Sequence, residues 1–198
     1  MQEIVVASGN RGKLKEISQM LSPLNIQVIG QKSLNIEDIE ETGLSFVENA
    51  ILKARNASRC SGRPALADDS GLEVDALNGE PGIYSARYAG EPANDANNIV
   101  KLLANLQSVA PAERTARFQC VMVYLRHDND PTPIICQGTW EGLIVSQPQG
   151  ENGFGYDPVF WVPGQECSAA QLPPEIKNKL SHRGQALQQM IATLAGKA

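Results

Sequence analysis

Ala65-Leu66-Ala67-Asp68-Asp69-Ser70-Gly71-Leu72 is the stretch that decides how this chain is built. A short apolar run delivers two adjacent carboxylates and a hydroxyl, and Gly71 reads as the point at which the backbone turns. Neighbouring side chains on a strand point to opposite faces, so Asp68 and Asp69 do not aim at one point. One is expected to anchor the backbone or a basic partner while the other faces a cleft. Carboxylates at the end of a buried strand are a common means of holding Mg²⁺ against a phosphate, because hard cations prefer oxygen ligands. A polar turn closing a strand accounts for the same residues, so the decision rests on whether phosphate ligands gather elsewhere.

Towards the N-terminus they do. Glu3 to Ala7 read as a buried strand, Ser8-Gly9-Asn10-Arg11-Gly12-Lys13 follow at once, and Leu14, Ile17, Met20 and Leu21 then recur at helical spacing. Strand, glycine-containing loop and helix together point backbone N–H groups and a positive dipole end at an anion, with Lys13 adding a point charge. The P-loop pattern G-x-x-x-x-G-K-[ST] is not met, since Ala7 and Leu14 occupy its first-glycine and Ser/Thr positions. A plain connection from strand to helix is the alternative. Ile26 to Ile29 form a second short strand. Ser45-Phe46-Val47-Glu48 has the capping-box form and opens a helix whose apolar stripe is Val47, Ala50, Ile51, Ala54 and Ala57. Glu40 and Glu41 precede that helix, either as solvated acids or with one of them completing a metal site with Asp69. Lys53, two turns in, is by default a solvated lysine.

Towards the C-terminus, Leu72 to Leu77 alternates as a half-exposed strand, and Asn78-Gly79 and Pro81-Gly82 punctuate a loop. Tyr84 to Gly90 is dense in Tyr and Arg, the composition of a pocket lining or a subunit contact. Asn94 caps a helix carrying Ile99, Leu102, Leu103 and Leu106, and two long strands follow, Thr115 to Arg126 and Pro133 to Ser146. Cys120 to Leu125 is apolar on both faces and so is expected to be covered on both sides, while His127 between the strands reads as simply exposed. In Gly150-Glu151-Asn152-Gly153-Phe154-Gly155-Tyr156-Asp157-Pro158 glycines flank two aromatics and an acid. Backbone there can approach a flat ligand while Phe154 or Tyr156 stacks on it; a glycine-rich turn with its aromatics in the core is the alternative. Lys177, Ser181, His182 and Arg183 form a basic, hydrogen-bonding group before a last helix with the stripe Ala186, Leu187, Met190, Ile191 and Leu194, and Ser181 suits its N-cap.

Composition narrows the classes. The 198 residues, 42% hydrophobic and 20% charged, suit one generous domain or two closely packed lobes. A formal charge of −5 argues against a general nucleic-acid surface, which needs an excess of Lys and Arg. No apolar run approaches the ~18 residues of a membrane helix, and no signal-peptide pattern precedes the first strand. Cys60, Cys120, Cys136 and Cys167 contain no C-x-x-C pair, and buried free thiols in a reducing cytosol are the expectation. Helices packed on a long mixed sheet, with no clean boundary between lobes, is the resulting picture.

The pieces taken together resemble the inosine triphosphate pyrophosphatase family, house-cleaning enzymes of nucleotide metabolism that hydrolyse dITP, ITP and XTP. The resemblance runs along essentially the whole chain. It rests on Ala7-Ser8-Gly9-Asn10-x-Gly12-Lys13, Glu41-Thr42-Gly43, Glu48-Asn49-Ala50-x-x-Lys53-Ala54 and Ala67 to Leu72, then on Gly82 to Tyr88, Gly153 to Pro158 and Ser181-His182-Arg183. A departure is Pro173-Pro174-Glu175-Ile176, less acidic than the family tends to be before Lys177. The resemblance implies an α/β fold with a long central mixed sheet flanked by helices, in a single two-lobed domain over residues 1–198 with a nucleotide cleft between the lobes. It also implies Mg²⁺ dependence and a homodimer, and the free thiols make the cytoplasm the expected location. Carried over by residue, Ser8, Gly9, Asn10, Arg11, Gly12 and Lys13 take the triphosphate. Asp69 becomes general base and metal ligand, with Glu41 as the other metal-side carboxylate. Ser70 touches the nucleotide, and Asp68 and Lys53 support the charged centre. Phe154, Gly155, Tyr156, Asp157, Lys177, His182 and Arg183 surround the base. An aspartate-nucleophile phosphatase needs two acids at i and i+2 after a strand, a spacing that Asp68-Asp69-Ser70 breaks. A non-enzymatic nucleotide sensor would use the same loop and aromatic platform, and turnover with Mg²⁺ separates the two.

Overall fold

Alternation along three strands explains the first layer of the fold. A computed structural model describes residues 2–196, leaving aside the side chains of Gln2 and Arg11. Strands β1 (Gln2–Val6), β3 (Ala65–Val74) and β4 (Thr115–Leu125) send alternate side chains to two separate apolar cores. Ile4, Val6, Leu66, Cys120, Met122 and Tyr124 pack with Ile17 and Leu21 of α1 (Arg11–Leu21) and Leu187 and Met190 of α5 (His182–Ala195). Val5, Ala65, Ala67, Val121, Val123 and Leu125 pack instead with Ala50, Ala54 and Ala57 of α2 (Phe46–Ser61). The expectation that Cys120 to Leu125 is covered on both sides is met. Each fully buried Ile or Leu on these faces stabilises the fold by ~1.5–3 kcal/mol.

With β2 (Ile26–Gly30), β5 (Ile134–Ile144), β6 (Phe160–Val162) and β7 (Cys167–Ser168), the strands form one sheet of order β2-β1-β3-β4-β5-β6-β7. It is mixed: β1 pairs in parallel with β2 and β3, whereas β5–β6 and β6–β7 are antiparallel. The α/β class expected from the sequence is therefore observed, and the short β6 and β7 are additions to it. Register positions the chemistry. Val6 stands opposite Leu66, and Ala7 N–H donates to the Leu66 carbonyl at 2.8 Å. Ser8 thus leaves the carboxyl end of β1, where open α/β sheets bind ligands, beside Asp68, which lies within the longer β3.

The chain divides into two compact units, Met1–Asp69 with Cys120–Gly138 and Gln185–Ala198, and Ser70–Gln119 with Thr139–Gly184. The second has its own core, in which Leu72, Val74, Phe118, Trp140 and Phe160 meet Ile99 and Leu102 of α3 (Asp95–Asn105). The intervening strand positions of this unit are polar: Arg117 reaches Glu141 of β5 (3.0 Å) and Asp75 just beyond β3 (2.7 Å), and Gln119 reaches Glu73 of β3 (3.0 Å).

Three expectations need correcting. Gly71 does not turn the chain; β3 runs through it to Val74, because Gly71 and Leu72 are both buried and the ladder continues. The half-exposed strand expected over residues 72–77 stops at Val74, and Asp75–Leu77 is a turn of 3₁₀-helix. The four cysteines are free as expected, but only Cys120 and Cys136 are buried; Cys167 is partly exposed, and Cys60 is exposed because it lies near the end of α2 away from the Ala50–Ala54–Ala57 stripe.

Candidate active site

Alternation on β3 decides the fate of the paired acids. Asp68 follows Leu66 to the α1 side, where Lys13 Nζ meets its Oδ2 at 3.1 Å, and the Asp68 side chain is fully buried. Asp69 follows Ala67 to the α2 side, where Lys53 Nζ meets its Oδ1 at 2.7 Å. The same ammonium reaches Glu41 Oε1 at 2.8 Å. Lys53 is thus the hub of a carboxylate–lysine–carboxylate bridge, not a solvated side chain. Asp69 Oδ2 is buried and has no hydrogen-bond partner among the described residues.

Burial pushes the Asp69 carboxyl above the usual aspartate range, although Lys53 pulls against the shift. Burial also works against the Lys53 ammonium, but the charges of Asp69, Asp68 and Glu41 outweigh it and hold its pKa above the ordinary lysine value. An acid with a raised pKa and one unengaged oxygen is better suited to accept a proton than an ordinary aspartate.

Glu41 is aimed by its neighbours. Gly43 N–H donates to Asn49 Oδ1 at 2.8 Å, which holds the Glu41-Thr42-Gly43 segment against the first turn of α2. A Cβ on Gly43 would stand 2.6 Å from Glu48 Cβ and 2.7 Å from Asn49 Oδ1, so only glycine permits this approach. Ser45 caps the helix, its Oγ accepting from Glu48 N–H at 3.4 Å and donating to Glu48 Oε2 at 2.7 Å, while that carboxylate oxygen takes its backbone bond from Leu44 N–H at 3.0 Å, one residue before the N-cap that the capping-box form calls for. The Glu41-Thr42-Gly43 and Glu48-Asn49 motifs are one physical device.

The loop after β1 is self-capped. Asn10 Oδ1 accepts from Gly12 N–H (2.8 Å) and Lys13 N–H (3.1 Å), and Ser8 Oγ accepts from Asn10 N–H (3.2 Å). Asn10 is therefore the N-cap of α1, and it occupies two of the donors that the sequence assigns to an anion. The Arg11 side chain lies outside the described residues. Lys32, which sequence reasoning did not single out, lies across Gly9; a Cβ there would be 3.1 Å from its Nζ.

In the second unit, Phe154 is half-buried, with Lys177 Nζ 5.0 Å and Arg183 Cζ 5.5 Å from its ring centroid. Each cation is tied down. Lys177 Nζ donates to Asp157 Oδ2 at 2.6 Å, and Arg183 Nη2 donates to Ser70 Oγ at 3.1 Å. Asp157 Oδ2 also accepts from Phe154 N–H at 2.9 Å. Gly153, at φ +80°, makes this possible, since a Cβ there would fall 2.0 Å from that carboxylate oxygen. Gly155 N–H donates to Asp95 Oδ2 at 2.7 Å, anchoring the loop from α3.

Two residues of the expected base site have other surroundings. Tyr156 is in the core, with its hydroxyl donating to the Ser85 carbonyl at 2.8 Å, and burial raises its phenol pKa. Of the two aromatics, Phe154 alone is partly exposed. His182 is buried and stacks on Phe118 at 4.8 Å between ring centroids and 15° between planes, with Trp140 beyond at 6.4 Å. Sequence reasoning missed Phe118, Trp140, Asp95 and Ser85. Their partners lie far away along the chain, as with Asp95 and Gly155, so no local pattern announces them.

Among the described residues, no three or more His, Cys, Asp or Glu side chains form a group able to hold a metal ion. Any divalent cation would draw on Glu41, Asp69 and oxygens of the ligand itself.

The chain is an α/β protein whose first unit carries an acid–lysine cluster beside parallel strands and whose second carries an aromatic with two cations over it in a glycine-rich loop. A family model described as Ham1 family matches residues 4–193, and the chain belongs to that family. It is 57% identical over 197 residues to the dITP/XTP pyrophosphatase of Shewanella oneidensis, covering 100% of this chain and 96% of that protein. The dITP/XTP pyrophosphatase of Photobacterium profundum is 56% identical over 194 residues, 98% of each chain. Among solved structures, a HAM1 protein from Coxiella burnetii superposes with a TM-score of 0.92 at 52% identity, covering 99% of this chain and 100% of that one. The nucleoside-triphosphatase, dITP/XTP pyrophosphatase, of Mycobacterium abscessus gives 0.76 at 39% identity, covering 96% and 99%. The family resemblance stated from the motifs is thereby met.

Proposed function

We propose that this chain is a nucleoside triphosphate pyrophosphohydrolase that converts dITP, ITP and XTP to the monophosphate and pyrophosphate with the help of Mg²⁺. The observation that carries the reading is Asp69: desolvated, held through one oxygen by Lys53, and with the other buried and unengaged among the described residues. That atom suits a hard cation, which takes one or two carboxylates and completes its shell with water and substrate phosphates, so a three-residue cage is not required. Glu41 and Asp69 would hold Mg²⁺, which when bound neutralises phosphate charge and polarises the phosphorus–oxygen bonds.

The chain's own residues do the rest. Lys13 and Lys53 balance charge on the polyphosphate and on the departing pyrophosphate. Asp69 takes a proton from water as that water attacks the α-phosphorus and the bond from the α-phosphorus to its bridging oxygen breaks. Phe154 offers its face to the purine, with Lys177 and Arg183 beside it. Arg183 donates to the 6-keto oxygen that hypoxanthine and xanthine carry where adenine has an amino group. A homodimer in the cytoplasm belongs to the same reading; no helix among the described residues is long and apolar enough to cross a membrane.

The test is a panel of purine nucleoside triphosphates with the purified protein and Mg²⁺, followed for released pyrophosphate. Turnover in ¹⁸O-water is expected to label the monophosphate alone. Label in pyrophosphate, orthophosphate as the first product, or tight binding without turnover would overturn the reading.

A further inference from the structure

Lys53 is shared in a way that ordinary charge support does not require. Its ammonium lies 2.8 Å from Glu41 Oε1 and 2.7 Å from Asp69 Oδ1, so two of its three N–H donors are spent on the two carboxylates that the proposed function gives to the metal. The three side chains are all largely removed from water, with exposures of 15% for Lys53, 23% for Glu41 and 9% for Asp69. Two carboxylates brought together under such conditions repel unless a cation joins them. In the folded chain that cation is Lys53.

We infer that Lys53 competes with the divalent cation for Glu41 and Asp69, so that the acids accept the metal only when the nucleotide's polyphosphate draws the ammonium away. The inference rests on the proposed function and adds to it an order of events. A divalent ion and an ammonium on the same oxygens repel each other, so tenancy by one weakens the other. The lysine is the partner able to move, because its charge sits on a flexible four-carbon stem, whereas Glu41 is tethered through Gly43 and Asn49 and Asp69 through the sheet. A polyphosphate gives the ammonium a second, more highly charged acceptor. The local balance supports the exchange: Lys13 and Lys53 face Glu41, Asp68 and Asp69, a cluster already close to neutral before any divalent ion arrives. Lys13 bonds Asp68 on the opposite face of β3 and bears on Asp69 through its charge alone.

The experiment titrates Mn²⁺ into nucleotide-free protein and reads free Mn²⁺ by electron paramagnetic resonance. Lys53→Met removes the competitor, and Mn²⁺ affinity is expected to rise at least ~10-fold, the lower end of what neighbouring groups do to metal affinity. Lys53→Arg keeps a cation that grips both carboxylates through two parallel donors, and is expected to bind Mn²⁺ no more tightly than the unaltered protein. Equal or weaker binding in Lys53→Met, or tighter binding in Lys53→Arg, overturns the inference. Should Lys53→Met fail to fold, the comparison of Lys53→Arg with the unaltered protein decides by the same rule. Pyrophosphate release by the unaltered protein is measured alongside. Its absence overturns the proposed function, whereas normal release with the wrong order of Mn²⁺ affinities overturns only the competition.

Discussion

Asp157→Asn isolates the ion pair that holds the aromatic loop. Asp157 and Lys177 are joined at 2.6 Å with side-chain exposures of 4% and 9%, and the same carboxylate oxygen accepts the Phe154 N–H. The amide can still accept from Phe154 N–H but no longer sets a negative charge against the buried Lys177 ammonium. Breaking one side of a buried pair costs ~3–5 kcal/mol. For a chain of 150–250 residues each kcal/mol lowers Tm by about 2–4 °C, so a fall of roughly 6–20 °C is expected. Thermal unfolding followed by circular dichroism measures it. Asp157→Asn/Lys177→Met removes both charges and should recover most of the loss, because an apolar replacement of a buried pair is often neutral or better. KM for the nucleotide should rise in the single variant as Phe154 loses its fixed cationic neighbour. A fall in Tm below about 2 °C, or a double variant no more stable than the single one, would refute the account of this loop.

Asp69→Asn should lower kcat by at least ~10²-fold while leaving nucleotide binding measurable, and near-normal turnover at any Mg²⁺ concentration would reject Asp69 as the base. Burial raises the Asp69 pKa, so the base form is present at high pH and lost as pH falls through a value above the ordinary ~3.9; the acid limb of kcat/KM should lie above that value and disappear in Asp69→Asn. Arg183→Ala should lower kcat/KM for ITP by ~10-fold or more and far less for ATP, since a lost donor matters most where the base offers an acceptor. Phe154→Ala should weaken both by a similar ~1–3 kcal/mol, because every base has a π-face. A preserved ITP/ATP ratio in Arg183→Ala would assign recognition of the 6-position elsewhere.

Local patterns carried much of the scaffold. The helix over Arg11–Leu21 was legible from Leu14, Ile17, Met20 and Leu21, and the start of α2 from Ser45 and Glu48, because caps and stripes involve residues within a turn or two of one another. Gly71 misled for the same reason. A glycine after polar residues favours a turn locally, but the burial of Gly71 and Leu72 belongs to the sheet, and the sheet prevailed. Tyr156 and Phe154 look equivalent in Gly153-Phe154-Gly155-Tyr156; only the distant Ser85 carbonyl and the cations Lys177 and Arg183 separate the core aromatic from the platform.

The paired acids mark the division most clearly. That Asp68 and Asp69 face opposite ways follows from the two-residue repeat of any strand, and the sequence by itself determined it. It also determined the alternating cores, since Ile4, Val6, Leu66 and Met122 separate from Val5, Ala65 and Val123 by position alone. Only the tertiary structure decided that α1 covers one face and brings Lys13 to Asp68, while α2 covers the other and brings Lys53 to Asp69 and Glu41. The choice of helix for each face depends on how the β1–β2 and β2–β3 connections cross the sheet. A charge buried beside a strand therefore finds its partner through chain path and packing, which no window of neighbouring residues contains.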